Sequence, residues 1–243
     1  MTLKAVLFDF NGVIINDESI HEELVNEIVV GENLRVNPQD YKEVCLGRSD
    51  RACLRDILER RGRMVRDGDL AKLIARKAQR YRQRLEGLES LPIYPVEEFL
   101  LQVGKLGLAV GLVTGALRSE VEWILDRARL KSYFPTIVAG DEIPTSKPDP
   151  YGYLLAVERL NRQFPALNLQ PQHCLAIEDT PAGIEAAKAA GMQVVGVANT
   201  YPFHMLQRQA NWTVDRISEL DLAWVQAVFS GRSGPSTRVQ VLE

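Results

Sequence analysis

Cysteine, histidine and long apolar runs are all scarce in this chain, and each scarcity excludes something. Three cysteines, Cys45, Cys53 and Cys174, are spread over 243 residues. Their number is odd and no pair has C-x-x-C spacing, so neither a zinc site nor a disulfide framework is indicated. Cys45 and Cys53 meet only if two segments fold back on each other. Buried reduced thiols are the expectation, since free cysteine behaves as a small hydrophobe. The longest apolar stretch, residues 106–117, spans 12 residues with three glycines, against the roughly 20 that a spanning helix needs. No membrane partner is expected. An excess of one charge is also missing. Lys plus Arg is 29 and Asp plus Glu is 32, for a formal net charge of −3. That removes the electrostatic case for a nucleic-acid binder. No secretory leader precedes the first apolar run, so a cytoplasmic location is expected.

What is present is an ordinary globular composition, 46% hydrophobic and 25% charged. There is ample apolar surface to offset chain entropy, which excludes disorder as the main state. Residues 4–8, Lys-Ala-Val-Leu-Phe, read as a buried central strand that stops at Asp9, with Asn11-Gly12 supplying a turn. From residue 17 to about 87 charges become dense and apolar residues fall at helical spacing: Ile20, Leu24, Val25 and Ile28, then Leu54, Ile57 and Leu58, then Leu70, Leu73 and Ile74. This predicts four or five helices with breaks near 31–38, 47 and 62–68. Beyond Pro92 and Pro95, helices are predicted over 96–106, 119–128, 151–160 and 182–190. Strands are predicted over 108–113, 136–139, 174–177 and 193–197. Alternation of this kind implies a Rossmann-like parallel sheet with helices on both faces. The expected organisation is an α/β core over 1–16 and 92–230, an all-helical cap over 17–91 inserted after the first strand, and a loose tail over 231–243 after a helix at 220–229. An insert at the C-terminal end of a strand sits over the edge where open α/β sheets bind ligands, so a lid is expected.

The candidate chemistry lies on that edge. Asp9 follows the first strand, Thr114-Gly115 the second and Glu178-Asp179 the fourth, while Lys147 sits in the loop after the third. Three clustered carboxylates raise one another's pKa unless a cation joins them. Hard oxygen donors with few histidines point to Mg²⁺ rather than Zn²⁺. A hydroxyl, backbone N–H groups and an ammonium suit the oxygens of a phosphoryl group. Each residue also has a blander reading, since an Asp after a strand is more often a turn or cap residue.

Taken together, Asp9-Phe10-Asn11-Gly12-Val13, Val113-Thr114-Gly115, Ser146-Lys147-Pro148-x-Pro150 and Ile177-Glu178-Asp179-Thr180-x-x-Gly183 resemble the haloacid dehalogenase (HAD) superfamily. The helical insert is similar to the C1-type cap of the branch that contains beta-phosphoglucomutase and phosphoglycolate phosphatase. The resemblance implies Mg²⁺-dependent phosphoryl transfer on a small phosphorylated metabolite, by a monomer or weak dimer. It implies that Asp9 attacks phosphorus and becomes an aspartyl-phosphate. Thr114 and Gly115 then bind the phosphoryl, and Lys147 neutralises it. Asp9, the Asn11 carbonyl, Glu178 and Asp179 hold the metal.

One position departs from the pattern. The phosphatases of this superfamily mostly carry a second Asp two residues after the nucleophile, as general acid and base, and here it is Asn11. An amide cannot do that work near neutral pH, and losing such a group costs ~10²–10⁴ in rate. Three readings follow: a substrate with a good leaving group such as an acyl phosphate, a weakened or retired enzyme that binds a phosphorylated ligand, or a substitution that traps an intermediate. A sugar-phosphate mutase and a non-catalytic binding module remain alternatives to a phosphatase. In the cap, the resemblance implies that His21 faces the site, that Gly47 and Arg48 lie in a substrate-specificity loop, and that Lys77 contacts substrate. Arg48 there is a candidate for a second anionic group. Solvated helix and loop residues are the alternative for each.

Overall fold

The computed structural model describes residues 2–231. Ala5–Phe8 forms β1, buried along its whole length. Val6 and Phe8 belong to one apolar cluster and Ala5 and Leu7 to another. Successive strand residues point to opposite faces, so a strand covered on both sides must be apolar throughout, as this one is. Four helices follow: α1 (Glu18–Gly31), α2 (Pro38–Val44), α3 (Asp50–Arg60) and α4 (Asp67–Glu86). The chain then returns through α5 (Glu97–Lys105), β2 (Ala109–Val113), α6 (Arg118–Arg127), β3 (Thr136–Val138) and α7 (Tyr151–Gln163). It ends with β4 (Cys174–Glu178), α8 (Pro181–Ala189), β5 (Gln193–Val197), α9 (Phe203–Leu206), β6 (Trp212–Val214) and α10 (Leu222–Phe229).

The strands form one six-stranded parallel sheet in the order β3-β2-β1-β4-β5-β6. It is a Rossmann-like α/β fold, with one apolar cluster on each face. The order reverses beside β1, which makes the C-terminal end of β1 a switch point and the natural ligand crevice. Two elements go beyond the sequence reading. The edge strand β6 is three half-buried residues without an apolar run, and α9 is four residues long. Neither is long enough to show a period. The tail expected over 231–243 lies, from residue 232 onward, outside the described residues.

The helices α1 to α4 carry a core of their own, including Val25, Ile28, Leu54, Leu58 and Leu70. Two short connections join them to the sheet. Ile15 pairs antiparallel with Ile93, the Tyr94 N–H donates to the Ile14 carbonyl at 2.9 Å, and the Asn16 N–H donates to the Pro92 carbonyl at 2.8 Å. Leu24, Tyr81 and Leu85 of these helices are buried in the same cluster as β1.

The cysteines correct an expectation. Cys45 and Cys53 are joined by a disulfide, and Cys174 is free and buried. Gly47, at φ +75°, turns the chain between α2 and α3. That reversal brings the two Cα atoms to 4.4 Å, within bridging range. The spacing in sequence does not reveal a turn that depends on a left-handed residue. Among the described residues, no helix is long and apolar enough to cross a membrane.

Candidate active site

The sheet places Asp9, Thr114, Glu178 and Asp179 at one edge because each stands at the C-terminal end of adjacent strands β1, β2 and β4. The Asp9 N–H donates to the Ile177 carbonyl and the Thr114 N–H to the Val138 carbonyl, so the ladder fixes both backbones past the strand ends. Lys147 reaches in from the loop before α7. Its Nζ lies 2.8 Å from Asp9 Oδ1 and 2.7 Å from Glu178 Oε1. Tyr153 on α7 donates its hydroxyl to the same Glu178 oxygen. Burial opposes the Lys147 charge, but Asp9 and Glu178 outweigh it and hold its pKa above the usual lysine value. A permanently charged ammonium is thus fixed beside the Asp9 carboxylate.

Asp9, Glu178 and Asp179 offer oxygens that lie within 4.8 Å of one another. Both Asp179 oxygens and Glu178 Oε2 are buried with no hydrogen-bond partner among the described residues. Burial, then Asp9, pushes Glu178 up to about 7. Burial, followed by Asp9 and Glu178, raises Asp179 well above the usual carboxylate range. Buried oxygens without donors need either protons or a cation. Gly12, at φ +74°, lets the loop after β1 press onto them, since a Cβ there would sit 1.8 Å from Asp179 Oδ2. An all-oxygen set of this kind fits a hard divalent ion such as Mg²⁺.

Asn11 turns its side chain toward the helical insert. Nδ2 donates to Asp17 Oδ2 at 2.9 Å and lies 3.2 Å from His21 Nε2, while Oδ1 accepts from the Thr114 hydroxyl at 3.4 Å. Asp17 precedes α1 in the N-cap position, yet it makes no capping bond. Its carboxylate points inward instead, where Tyr81 and His21 also meet Oδ2. Lys77 Nζ is 2.6 Å from His21 Nδ1 and 2.6 Å from Asp50 Oδ1. A neutral His21 that accepts from Lys77 at Nδ1 carries its proton on Nε2, toward Asp17. Burial and Lys77 push the His21 pKa down, Asp17 and Asp50 push it up, and the balance lies above the ordinary value.

The loop between α2 and α3 closes over this edge. The Ser49 N–H donates to Ser146 Oγ at 2.7 Å. A Cβ on Gly47 would lie 2.4 Å from Thr180 Oγ1, and one on Gly115 2.8 Å from the Arg48 carbonyl, so both contacts are backbone-close. The Arg48 guanidinium turns away, donating to Asp56 at 2.6 Å and to the Val44 carbonyl at 2.9 Å. The cavity beneath the loop is about 40 Å³ and is lined by Asp9, Asn11, Gly115, His21, Asp50 and Lys77 among others. A single water takes roughly 10–15 Å³ by this measure, so there is room for little beyond a phosphoryl group while the loop is down.

The structure therefore gathers Asp9, Asn11, Thr114, Gly115, Lys147, Glu178 and Asp179 at one edge, and brings His21, Gly47 and Lys77 over it. Asp17, Glu120 and Tyr153 also stand at or beside this edge, outside the sequence motifs. Asp17 stands four residues before His21, a spacing that shares one helix face, and this was the available signal. Glu120 and Tyr153 carried none. Glu120 accepts from the Leu117 N–H, its other oxygen is buried without a partner among the described residues, and burial followed by Asp50 pushes its pKa up to about 7.

The haloacid dehalogenase-like hydrolase family matches residues 6–197, most of the chain. The chain belongs to that family. Among curated relatives it is 29% identical over 233 residues to protein CbbY of Rhodobacter capsulatus, covering 94% of this chain and 98% of that protein. It is 28% identical over 201 residues to a phosphorylated carbohydrates phosphatase of Thermotoga maritima, covering 82% and 87%. The fold superposes on a beta-phosphoglucomutase from Clostridium difficile with a TM-score of 0.80 at 23% identity, covering 94% of this chain and 98% of that one. The chain is thus a HAD-like hydrolase with phosphatases and mutase-like proteins among its relatives.

Proposed function

We propose that this HAD-like hydrolase is a Mg²⁺-dependent phosphatase of small phosphorylated metabolites, with Asp9 as the nucleophile. The observation that carries the reading is Lys147, buried and charged, 2.8 Å from Asp9 Oδ1 at the edge where three carboxylates converge. The names of the relatives, which speak of phosphorylated carbohydrates and of a phosphoglucomutase, support the substrate class.

In this reading an Asp9 oxygen forms a bond to phosphorus while the bond to the leaving oxygen breaks and that oxygen keeps the electron pair. Lys147 and the Thr114 hydroxyl hold the phosphoryl oxygens, and the Gly115 backbone lines the same pocket. Water then attacks the aspartyl-phosphate and releases inorganic phosphate and the Asp9 carboxylate. Asp9, Asp179, Glu178 and the Asn11 carbonyl would hold Mg²⁺, which supplies charge neutralisation for the nucleophile and the phosphoryl group. Asn11 has no proton to exchange near neutral pH. Acyl phosphates, whose leaving group departs as a weak base, are accordingly favoured over esters of alcohols. A mutase is disfavoured, because the same missing proton transfer slows attack by a sugar hydroxyl.

Calorimetric titration and phosphate release test this together. Mg²⁺ binds the intact protein, and acetyl phosphate turns over only with Mg²⁺ present. Both effects weaken at least ~10-fold in Asp179→Ala, the usual scale for loss of a group in or next to a metal shell. Equal Mg²⁺ affinity in the two proteins contradicts the assignment.

A further inference from the structure

The turn after β1 ties up its own backbone almost completely, and what remains open is informative. The Phe10 carbonyl accepts the Ile14 N–H at 2.8 Å and the Ile15 N–H at 3.2 Å, and the Gly12 N–H donates to the Ile15 carbonyl at 2.8 Å. The Gly12 carbonyl accepts the side-chain amide of Asn199 at 2.6 Å, across 187 positions of sequence. Between these two, the Asn11 carbonyl accepts no hydrogen bond among the described residues. Asn199 is itself anchored to the sheet. It follows β5, where the Ala198 N–H donates to the Val214 carbonyl of β6 at 2.9 Å and the Asn199 N–H donates to the Val197 carbonyl at 2.8 Å. Gly12 lies between this loop and the acidic cluster, since the Cβ it lacks would meet Asp179 Oδ2 at 1.8 Å and Thr200 Oγ1 at 2.8 Å.

We propose that Asn199 is a positioning residue for Mg²⁺, which fixes the Gly12 peptide, and through it the Asn11 carbonyl and the space beside Asp179, without touching the ion. This rests on the Mg²⁺-dependent reading above and extends it to the loop after β5. A glycine has several backbone conformations open to it at no steric cost, so a turn built on Gly12 at φ +74° needs an outside tie to stay in one of them. Among the described residues, Asn199 makes the one side-chain hydrogen bond to the backbone of this turn. The acceptor is a carbonyl, so the NH₂ end of the amide must face it. With the Gly12 oxygen engaged, the open carbonyl of the turn is that of Asn11, on the other side of the same Cα. Partners that orient ligands in this way are worth roughly 10–100-fold in metal affinity. The short edge strand β6 then serves the site, because it anchors the loop that carries Asn199.

The test is calorimetric titration of Mg²⁺ into the full chain and into Asn199→Ala and Asn199→Leu, the second of which keeps the bulk of the side chain without a donor. Both variants retain every candidate metal ligand. The expected result is an Mg²⁺ dissociation constant raised at least ~10-fold in both. Mg²⁺ then lifts the thermal midpoint of each variant less than it lifts that of the parent. Asn199→Gln, which keeps an amide donor on a longer arm, loses less affinity than either. Turnover of acetyl phosphate in the variants falls at limiting Mg²⁺ and returns toward the parent value in excess. A merely structural role lowers the midpoint equally with and without Mg²⁺ and leaves the affinity alone. Parental affinity in either folded variant therefore overturns the proposal, and it leaves the metal reading standing if the parent binds Mg²⁺ and Asp179→Ala does not. A parent that binds no Mg²⁺ removes the metal reading and the role of Asn199 with it. Weakened Mg²⁺ binding in the variants, without turnover of any phosphate by the parent, keeps the Asn199 assignment and removes the phosphatase reading.

Discussion

Asn11 is matched to its neighbour as a donor. Its amide gives a hydrogen bond to Asp17 Oδ2 at 2.9 Å, a carboxylate that Tyr81 and His21 also meet. An Asp at position 11 turns that contact into two carboxylates at hydrogen-bond distance, and one of the two then keeps a proton well above the usual range. Two consequences oppose each other. Asn11→Asp gains a protonated acid beside the leaving group, so turnover of sugar monophosphates rises by ~10²-fold while acetyl phosphate changes far less. It also loses a charge-assisted bond, so stability falls by about 1–3 kcal/mol. Adding Asp17→Asn restores much of that stability. Thermal denaturation of the three proteins and their turnover of the two substrates check both halves. A thermal midpoint unchanged in Asn11→Asp contradicts the Asn11–Asp17 contact. At this scale the residues gathered at the sheet edge were legible, because each of Asp9, Thr114 and Glu178 ends an apolar run that only a strand explains. Asp17 was hidden by its position. An Asp just before a helix reads as a cap, and only the structure shows its carboxylate turned inward with no capping bond.

At the scale of elements, the segment between α2 and α3 is held at both ends. The Cys45–Cys53 bridge closes it on one side, and Ser49 on Ser146 with Gly47 on Thr180 seats it on the sheet edge on the other. A bridge around so short a loop removes about 2–3 kcal/mol of chain freedom in the entropy account of disulfides. In denaturant without reductant, one thiol should titrate, Cys174, and three after reduction. Reduction lowers the thermal midpoint and raises KM more than it lowers kcat, because in the proposed reading Gly47 to Asp50 face the substrate while Asp9 follows β1 and Lys147 stands in the loop before α7. Three thiols before reduction contradict the bridge. Three helices of the insert, α1, α3 and α4, were legible from apolar spacing, since Val25, Ile28, Leu54, Leu58 and Leu70 pack into one cluster, whereas the seven-residue α2 is too short to show a period. The bridge was not. It depends on a left-handed turn at Gly47 that joins two helices whose own periodicity says nothing about their angle.

For the molecule as a whole, the sheet order sets where chemistry happens. With β1 between β2 and β4, the residues that follow these strands converge from separate stretches of chain, and the insert leaves and returns beside a single antiparallel bridge between Ile15 and Ile93. The parallel sheet was readable because its buried strands are continuous apolar runs. The closure of the insert was not readable, because it rests on backbone contacts such as Gly115 against Arg48 that leave no pattern in side-chain type. In the proposed reading the reaction comes down to one bond, between an Asp9 oxygen and phosphorus. The most direct measurement is therefore to incubate the protein with radiolabelled acetyl phosphate and Mg²⁺, quench in acid, and locate the label by mass spectrometry of peptides. The account predicts a Mg²⁺-dependent phosphoryl group on Asp9, absent in Asp9→Asn together with all turnover. Label on a different residue, or turnover that survives Asp9→Asn in protein free of contaminating phosphatase, contradicts it.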